Sequence, residues 1–191
     1  GKSAIAIIRV SGKESLKILK KISSIKTISP NKTKLTYIKY KKLKIDQVIV
    51  VYFKKPKSYT GEEMFEINCH GSVAIIKKIS EILEIHGARM ADPGEFTRRS
   101  LINNKLDLLQ AEGLVDLINA ETEKQRSLAV SVLSGGVSSF IKKINEELVL
   151  ILANTEALID FSDEDLPKNI FNKISEQNKN LIKKIEKELL N

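Results

Sequence analysis

The spacing of the apolar residues changes along this 191-residue chain, and that change limits the folds it can adopt. Residues 4–90 alternate short apolar runs with segments in which apolar residues recur at helical spacing. From residue 121 onward only the helical spacing remains. A sheet with helices followed by a helix-only segment is typical of an α+β protein. We therefore predict a mixed-sheet domain over residues 1–118 and an incomplete all-α bundle over residues 119–191.

The individual elements follow from the same spacing and from turn residues. Short apolar or alternating runs predict strands at residues 4–10, 34–40, 47–53 and 64–69. Helical spacing predicts helices at 14–23, between Gly71 and Gly87, from Gly94 to about 101, and at 106–118. Beyond residue 121 we expect long helices that are interrupted at Gly135-Gly136 and at Leu166-Pro167.

Composition excludes several classes of protein. Hydrophobic residues make up 42% of the chain, which is enough for a packed core. No run of 18 apolar residues exists, so we expect no membrane span and a cytoplasmic protein. The single cysteine, Cys69, excludes an intrachain disulfide and a Cys-rich zinc site. The chain opens Gly1-Lys2-Ser3 without Met, and we expect it to be a fragment whose opening residues form a loop entering the sheet.

Charge is distributed unevenly. Residues 1–60 contain 16 Lys and Arg but only two acidic residues, whereas residues 61–191 contain 16 basic and 22 acidic residues. A basic half beside an acidic half indicates an anionic partner such as RNA. Lysine outnumbers arginine 27 to 5, which compositional drift in an A+T-rich coding sequence also explains. Both interpretations stay open.

The strand at 64–69 predicts two chemically different faces, because neighbouring side chains on a strand point in opposite directions. Cys69 shares a face with Phe65 and Ile67 and is predicted to be a core residue. The other face carries Glu66, Asn68 and His70. That polar face either meets water or reads the donors and acceptors of a bound heterocycle.

Two cations outside this strand are further candidates for binding. Arg9, at the end of the first strand, suits a carboxylate or another bidentate partner, although a structural ion pair is equally consistent. Lys105 follows Asn103-Asn104 and is either an anion contact or a solvated charge on a turn.

Local motifs provide a more specific indication. In chain order they are Ile7-Ile8-Arg9-Val10-Ser11-Gly12, Tyr59-Thr60-Gly61-Glu62-Glu63-Met64-Phe65-Glu66, His70-Gly71, Asp92-Pro93-Gly94-Glu95-Phe96-Thr97-Arg98-Arg99, Leu101-Ile102-Asn103-Asn104-Lys105-Leu106-Asp107-Leu108, Gln110-Ala111-Glu112 and Ile159-Asp160-Phe161. Their identity and order resemble the MnmE (TrmE) family of tRNA-modification GTPases over nearly the whole chain. Arg99-Ser100-Leu101 and Asn103-Asn104-Lys105 depart from the usual Arg-Ala-Phe and Asn-Gly-Lys or Asn-Asp-Lys. We expect Asn104 to tolerate the left-handed conformation nearly as well as glycine.

The resemblance implies a folate-binding domain, similar to that of glycine-cleavage T-protein, with folate contacts at Arg9, Glu66 and Lys105. The cofactor would be a one-carbon tetrahydrofolate in its 5-formyl or methylene form. The carboxylate of Glu66 would accept the amino-pyrimidine N–H groups. No catalytic residue and no metal site are implied within this chain.

The resemblance also implies a whole protein larger than this chain. The intact family member hydrolyses GTP, with Mg and K, and forms a homodimer. With an FAD-dependent partner similar to MnmG (GidA), it modifies carbon 5 of the wobble uridine of tRNA, installing an aminomethyl or carboxymethylaminomethyl group. We expect the GTPase domain to follow residue 191, so that this chain alone lacks GTPase activity. The rival functions are a basic RNA-binding adaptor and a dimerisation scaffold, neither with a small-molecule site.

Overall fold

The computed structural model describes residues 3–160 and 169–189. Within the chain, two compact units separate at Leu108, namely Gly1–Leu108 and Leu109–Asn191. Three parts of the sequence interpretation lie outside the described residues: Gly1-Lys2 of the opening motif, Phe161 of the last family motif, and the helix break expected at Leu166-Pro167.

The first unit is built on a four-stranded sheet. The strands are β1 (Ile5–Ser11), β2 (Thr33–Tyr40), β3 (Leu43–Phe53) and β4 (Met64–His70). Their order is β1-β4-β3-β2, and every neighbouring pair is antiparallel. The α+β class is confirmed, whereas the expected mixed sheet is corrected to an antiparallel one. No parallel pair arises because the helical connection after β1 leads to the opposite edge of the sheet instead of to a neighbouring position.

One face of this sheet carries the hydrophobic core of the unit. The helices α1 (Ser15–Ile22) and α2 (Val73–Ile85) pack on that face. Its most buried side chains come from both helices, from the central strands β3 and β4 and from the edge strand β2, and they are Leu19, Ile22, Ile38, Val48, Val50, Phe65, Ile67, Ile79 and Ile82. The alternation along β4 holds as predicted, because Phe65, Ile67 and Cys69 are all buried in this cluster.

The opposite face of the sheet, which we call the open face, carries exposed apolar side chains. Ile7 and Ile49 both pair with Asn68 from either side, and Leu35 pairs with Ile49. Ile7 is 61% exposed, Leu35 64% and Ile49 44%. Within the first unit, the described helices α1 and α2 belong to the other face.

The turn that precedes the third helix is set by a glycine. Gly94 has a φ of 73°, a left-handed conformation that favours glycine, and the helix α3 (Glu95–Ile102) begins directly after it. The turn that follows α3 contains Asn104, whose φ is 52°. Asparagine tolerates this conformation better than most residues, and the left-handed backbone at Asn104 agrees with the expectation for this position.

The second unit is helical, as expected. Its helices are α4 (Leu108–Asn119), α5 (Glu123–Leu133), α6 (Gly136–Asp160) and α7 (Ile170–Leu189). Ile151, Ile174 and Leu181 form its buried cluster. A capping box begins α5. The Thr122 side chain accepts a hydrogen bond from the Gln125 backbone N–H, and the Gln125 side chain accepts one from the Thr122 backbone N–H. None of the described helices is long and apolar enough to cross a membrane.

The helix α4 groups with the second unit because of a close backbone approach. Gly113 leaves so little space that an added Cβ would lie 2.9 Å from the Leu133 nitrogen. Gln110 Nε2 also donates to the Leu133 carbonyl at 3.1 Å. The division between the compact units falls at the first residue of α4, whereas the boundary expected from the sequence, between residues 118 and 119, falls at the end of this helix.

Candidate ligand-binding site around Arg9 and Glu66

Two of the three predicted contacts meet directly on the open face. Arg9 in β1 and Glu66 in β4 are opposite each other in the antiparallel register. Arg9 Nε donates to Glu66 Oε1 at 2.8 Å, and Arg9 Nη2 lies 2.7 Å from the same oxygen. The Arg9 side chain is 40% exposed and that of Glu66 is 18% exposed. The pair is therefore accessible from the open face.

Among the described residues, hydrogen bonds reach only one of the two carboxylate oxygens of Glu66. Both Arg9 contacts go to Oε1, and no described residue donates a hydrogen bond to Oε2. A carboxylate oxygen accepts up to two hydrogen bonds. Glu66 can therefore take further N–H donors from a ligand while Arg9 holds its orientation.

Aromatic side chains flank the pair. The guanidinium carbon of Arg9 lies 5.3 Å from the centre of the Tyr59 ring and 5.7 Å from that of Phe96. Both distances are within the range of cation–π attraction. Tyr59 is held in turn by a 3.0 Å hydrogen bond between its hydroxyl and that of Thr97. The site thus combines a charged acceptor with planar apolar surface.

The third predicted contact, Lys105, lies on the turn that follows α3. Its backbone N–H donates to the Ser100 carbonyl at 2.8 Å. The preceding Asn103 donates from Nδ2 to the Thr60 carbonyl at 2.7 Å, which fixes the turn against residues 58–62. The aliphatic part of the Lys105 side chain packs close to Gly61. A Cβ atom at position 61 would lie only 3.2 Å from Lys105 Cγ. Lys105 is thus docked on the loop that carries Tyr59, whereas only Arg9 and Glu66 touch each other.

A hydrogen-bonded network fixes that loop. The Ser11 hydroxyl bonds to Thr60 Oγ1 at 2.6 Å and donates to Glu62 Oε2 at 2.7 Å. Arg99 Nη1 donates to the same Glu62 oxygen at 2.9 Å, and Arg99 Nη2 donates to Glu95 Oε1 at 2.7 Å. The residues that hold this loop in place therefore belong to the motifs that resemble the family, although the sequence alone assigned them no individual role.

Glu95 is the most enclosed charge of this network, at 3% exposure. Arg89 approaches both of its oxygens, at 2.6 and 2.9 Å, and the Asp92 backbone N–H donates at 2.9 Å. These hydrogen bonds, from Arg89 first and then from Asp92 and Arg99, hold the pKa of Glu95 well below its usual range. Glu95 is fully engaged and is a structural carboxylate.

The two remaining polar residues of β4 have protein partners. Asn68 Nδ2 donates to the Ile49 carbonyl at 3.4 Å. His70 Nδ1 lies 2.7 Å from Asp46 Oδ1, and its backbone N–H donates to the other Asp46 oxygen at 2.9 Å. Cys69 points to the core, as predicted, and burial raises the pKa of its thiol. Of the three polar residues, Glu66 is the carboxylate, and one of its oxygens receives no hydrogen bond from a described residue.

A cavity of about 570 Å³ lies along the edge strand β1, and its lining includes Arg9 but neither Glu66 nor Tyr59. Arg9, Phe96 and Arg99 line it together with residues of α1, α2 and the segment 87–91. Its volume is in the range of small-molecule sites. Across residues 3–160 and 169–189, no group of three His, Cys, Asp or Glu side chains could hold a metal ion. Fold and site therefore define an α+β unit with a site suited to an organic ligand, followed along the chain by a helical unit.

Comparison with known proteins identifies the family. The model described as GTP-binding protein TrmE N-terminus matches residues 1–105, and the MnmE helical domain model matches residues 108–191. The tRNA modification GTPase MnmE of Rickettsia prowazekii (strain Madrid E) is 42% identical over 188 residues, covering 97% of this chain and 42% of the relative. The protein of the same name from Thermotoga maritima (strain ATCC 43589) is 42% identical over 165 residues, which cover 86% of this chain and 37% of the relative.

The chain belongs to the MnmE (TrmE) family, and the resemblance inferred from its motifs is confirmed. It spans less than half the length of these curated relatives. Tyr59 and Phe96 lie within the motifs that resemble the family, but the sequence alone assigned them no role. Tyr59 lies in the loop before β4 and Phe96 in the first turn of α3, and no local pattern distinguished either ring from an ordinary packing residue.

Proposed function

We propose that this chain is the tetrahydrofolate-binding and dimerisation part of a GTPase that modifies tRNA. The observation that carries the proposal is the open Oε2 of Glu66, held by Arg9 beside two aromatic rings. A reduced pterin offers adjacent N–H donors on a flat ring. The site offers the complementary acceptor and flat apolar surface.

The residues fit a one-carbon tetrahydrofolate in its 5-formyl or methylene form. Glu66 would accept the amino-pyrimidine N–H groups, and Tyr59 and Phe96 would contact the ring. Arg9 and Lys105 would hold the polar and anionic parts of the ligand. When bound in its methylene form, the folate would supply a carbon at the methylene level for the tRNA base. The role of this chain's residues would be to bind and orient it.

Homodimerisation is supported by the open face. Ile7, Ile49 and Leu35 are exposed apolar side chains in one row across the sheet, with Asn68 of β4 between Ile7 and Ile49, and exposed apolar patches mark interaction sites. Arg9 and Glu66 lie on this same face. We propose that a second copy covers the row, which would place the folate site close to the interface.

The activity of the whole protein is proposed from its relatives, whose name is tRNA modification GTPase MnmE. GTP, with Mg and K, would be bound by parts of the longer protein, and this chain alone would not hydrolyse it. The partner would be an FAD-dependent protein similar to MnmG (GidA). The product would carry an aminomethyl or carboxymethylaminomethyl group on carbon 5 of the wobble uridine, and the compartment would be the cytoplasm.

Thermal unfolding with and without 5-formyltetrahydrofolate tests the proposal against its rivals. A ligand that binds only the native state raises the melting temperature, by an amount that grows with ligand concentration. We expect such a rise for wild type and its absence for Arg9→Ala. An RNA-binding adaptor or a dimerisation scaffold would show no rise at any folate concentration. Sedimentation at tens of micromolar tests the dimer, and a protein that stays monomeric would exclude it.

A further inference from the structure

The turn between β2 and β3 concentrates lysines that face one another. Lys39 and Lys44 are direct cross-strand partners, and Lys41 and Lys42 form the turn between the two strands. Like charges directly opposite each other on a sheet destabilise it. The position is further marked by a register shift between Ile38 and Lys39. We call these four lysines the hairpin cluster.

Aromatic rings and a further cation extend the hairpin cluster. Lys44 Nζ lies 4.4 Å from the centre of the Tyr37 ring. Lys41 Nζ and Lys78 Nζ lie 5.6 and 5.7 Å from the centre of the Tyr40 ring, so two ammonium groups share one ring. Lys78 belongs to α2, which means that three elements direct cations to this end of the sheet.

No carboxylate among the described residues forms an ion pair with a lysine of the hairpin cluster. Elsewhere lysines pair with acids, as Lys17 does with Glu14 at 2.9 Å and Lys184 with Glu147 at 2.6 Å. Among the described residues, none of the four hairpin lysines is in an ion pair. Lys78 has one, with Glu81 at 3.1 Å. The arrangement leaves strong positive charge at one end of the sheet.

We infer that the hairpin cluster binds the phosphate backbone of RNA. Lysine ammonium groups contact phosphates as point charges, and a closely spaced set of phosphates would relieve the repulsion between Lys39 and Lys44. Tyr37 and Tyr40, both half-buried, add ring surface of the kind that stacks on unpaired bases. This inference rests on the proposed function, because it assigns part of the tRNA-binding surface.

An RNA partner fits this geometry better than an anionic membrane. Tyr40 packs against the core on the helix side of the sheet, and the ammonium groups of Lys41 and Lys78 lie near its ring. The ammonium group of Lys44 lies near the Tyr37 ring instead. Tyr37 is paired with Gln47 away from that core. The cations therefore surround the end of a hairpin on both sides. A strand of phosphates can wrap such an end, whereas a flat lipid surface meets one side only.

Two variants of equal net charge test the location of the surface. The first replaces Lys39, Lys41 and Lys44 with Gln. The matched control replaces Lys54, Lys55 and Lys57 with Gln, three exposed lysines just after the other end of β3. Binding of a fluorescently labelled unmodified tRNA transcript to the 191-residue chain is measured by anisotropy over a series of salt concentrations. Vesicles of anionic phospholipid serve as a second probe.

The hairpin variant should lose about 10- to 100-fold in tRNA affinity near 0.1 M salt, and its salt slope should fall by about 2–3. The control should change affinity by clearly less. Equal losses in both variants, no tRNA binding by wild type, or vesicle binding that is lost with the hairpin lysines while tRNA binding is kept would each overturn the inference.

The folate response separates this inference from the proposed function. Both variants should keep the wild-type rise in melting temperature with 5-formyltetrahydrofolate, which also shows that they fold. If that rise is kept and the tRNA results are negative, the RNA surface is excluded and the folate proposal stands. If wild type shows no rise, the folate proposal fails whatever the tRNA results are.

Discussion

Two arginine–carboxylate clusters lie in the first unit, and they differ in how completely their carboxylates are used. Glu95 is 3% exposed and receives hydrogen bonds from Arg89, Arg99 and the Asp92 backbone. Glu66 keeps an oxygen to which no described residue donates a hydrogen bond, in a pair whose Arg9 is 40% exposed.

The comparison shows that an ion pair alone does not identify a binding site. Both clusters contain arginine and glutamate, and both lie in family motifs. What separates them is the remaining capacity to accept hydrogen bonds together with access for a ligand. Glu95 has neither, so its role is to support the loop and α3. Glu66 has both, so its role is proposed to be binding.

The largest effect on stability is expected at Glu95. Glu95→Gln removes the charge between Arg89 and Arg99 and leaves their donors with a single neutral acceptor. Breaking an enclosed charge pair is strongly destabilising. We expect the melting temperature to fall by roughly 10 °C or more, measured by circular dichroism. Glu81→Gln, which removes a surface pair with Lys78, is the control and should change it by a few degrees at most.

The same residue predicts a pH dependence. Because the folded-state pKa of Glu95 is lowered, its ionised carboxylate stabilises the folded state. This stabilisation is complete above the ordinary carboxyl pKa of about 4.5 and is lost as pH falls further. The stability difference between wild type and Glu95→Gln should therefore be constant near neutral pH and shrink progressively below pH 4.5. A difference that stays constant down to acid unfolding would contradict the assigned role.

A smaller, alkaline effect is expected at Tyr52. Burial, together with the hydrogen bond to Glu63, raises the pKa of Tyr52 to about 12. Because this pKa lies above the ordinary value of 10.0, protonated Tyr52 stabilises the folded state. This stabilisation is complete below pH 10 and is lost as pH rises towards 12. Phenolate absorbance should show one tyrosine titrating late. In Tyr52→Phe, the absorbance change at the highest pH should disappear. If that change persists, it belongs to another tyrosine and the assignment to Tyr52 is wrong.

The smallest effect on stability is expected at Glu66. Glu66→Ala leaves Arg9 in contact with solvent, so no enclosed charge is stranded. Exposed ion pairs contribute about 0–1 kcal/mol. The melting temperature should change by no more than a few degrees, as read by circular dichroism. A fall as large as that of Glu95→Gln would remove the distinction between the two clusters.

Local patterns predicted much of the fold and part of the site. Alternation along β4 placed Glu66 and Cys69 on opposite faces, and the tolerance of asparagine for the left-handed region predicted Asn104. Those features depend on a few neighbouring residues. The family resemblance grouped Arg9 and Lys105 with Glu66 as candidate folate contacts.

Pairings between distant segments were not predictable from such patterns. The contact between Glu62 and Arg99 joins residues 37 positions apart, and nothing local to either one specifies the other. The antiparallel order of the sheet depends likewise on which strand lies between β1 and β3. That choice is made by the packing of the whole unit.

The most direct test of the account is the affinity for 5-formyltetrahydrofolate of Glu66→Ala and of Cys69→Ala, measured by calorimetric titration. Losing a charged acceptor costs about 1.5–3 kcal/mol, so Glu66→Ala should bind about ten- to a hundredfold more weakly than wild type. Cys69→Ala should soften the core slightly and keep nearly the full affinity. Folate binding that is kept in Glu66→Ala and lost in Cys69→Ala would contradict the assignment of the two faces of β4.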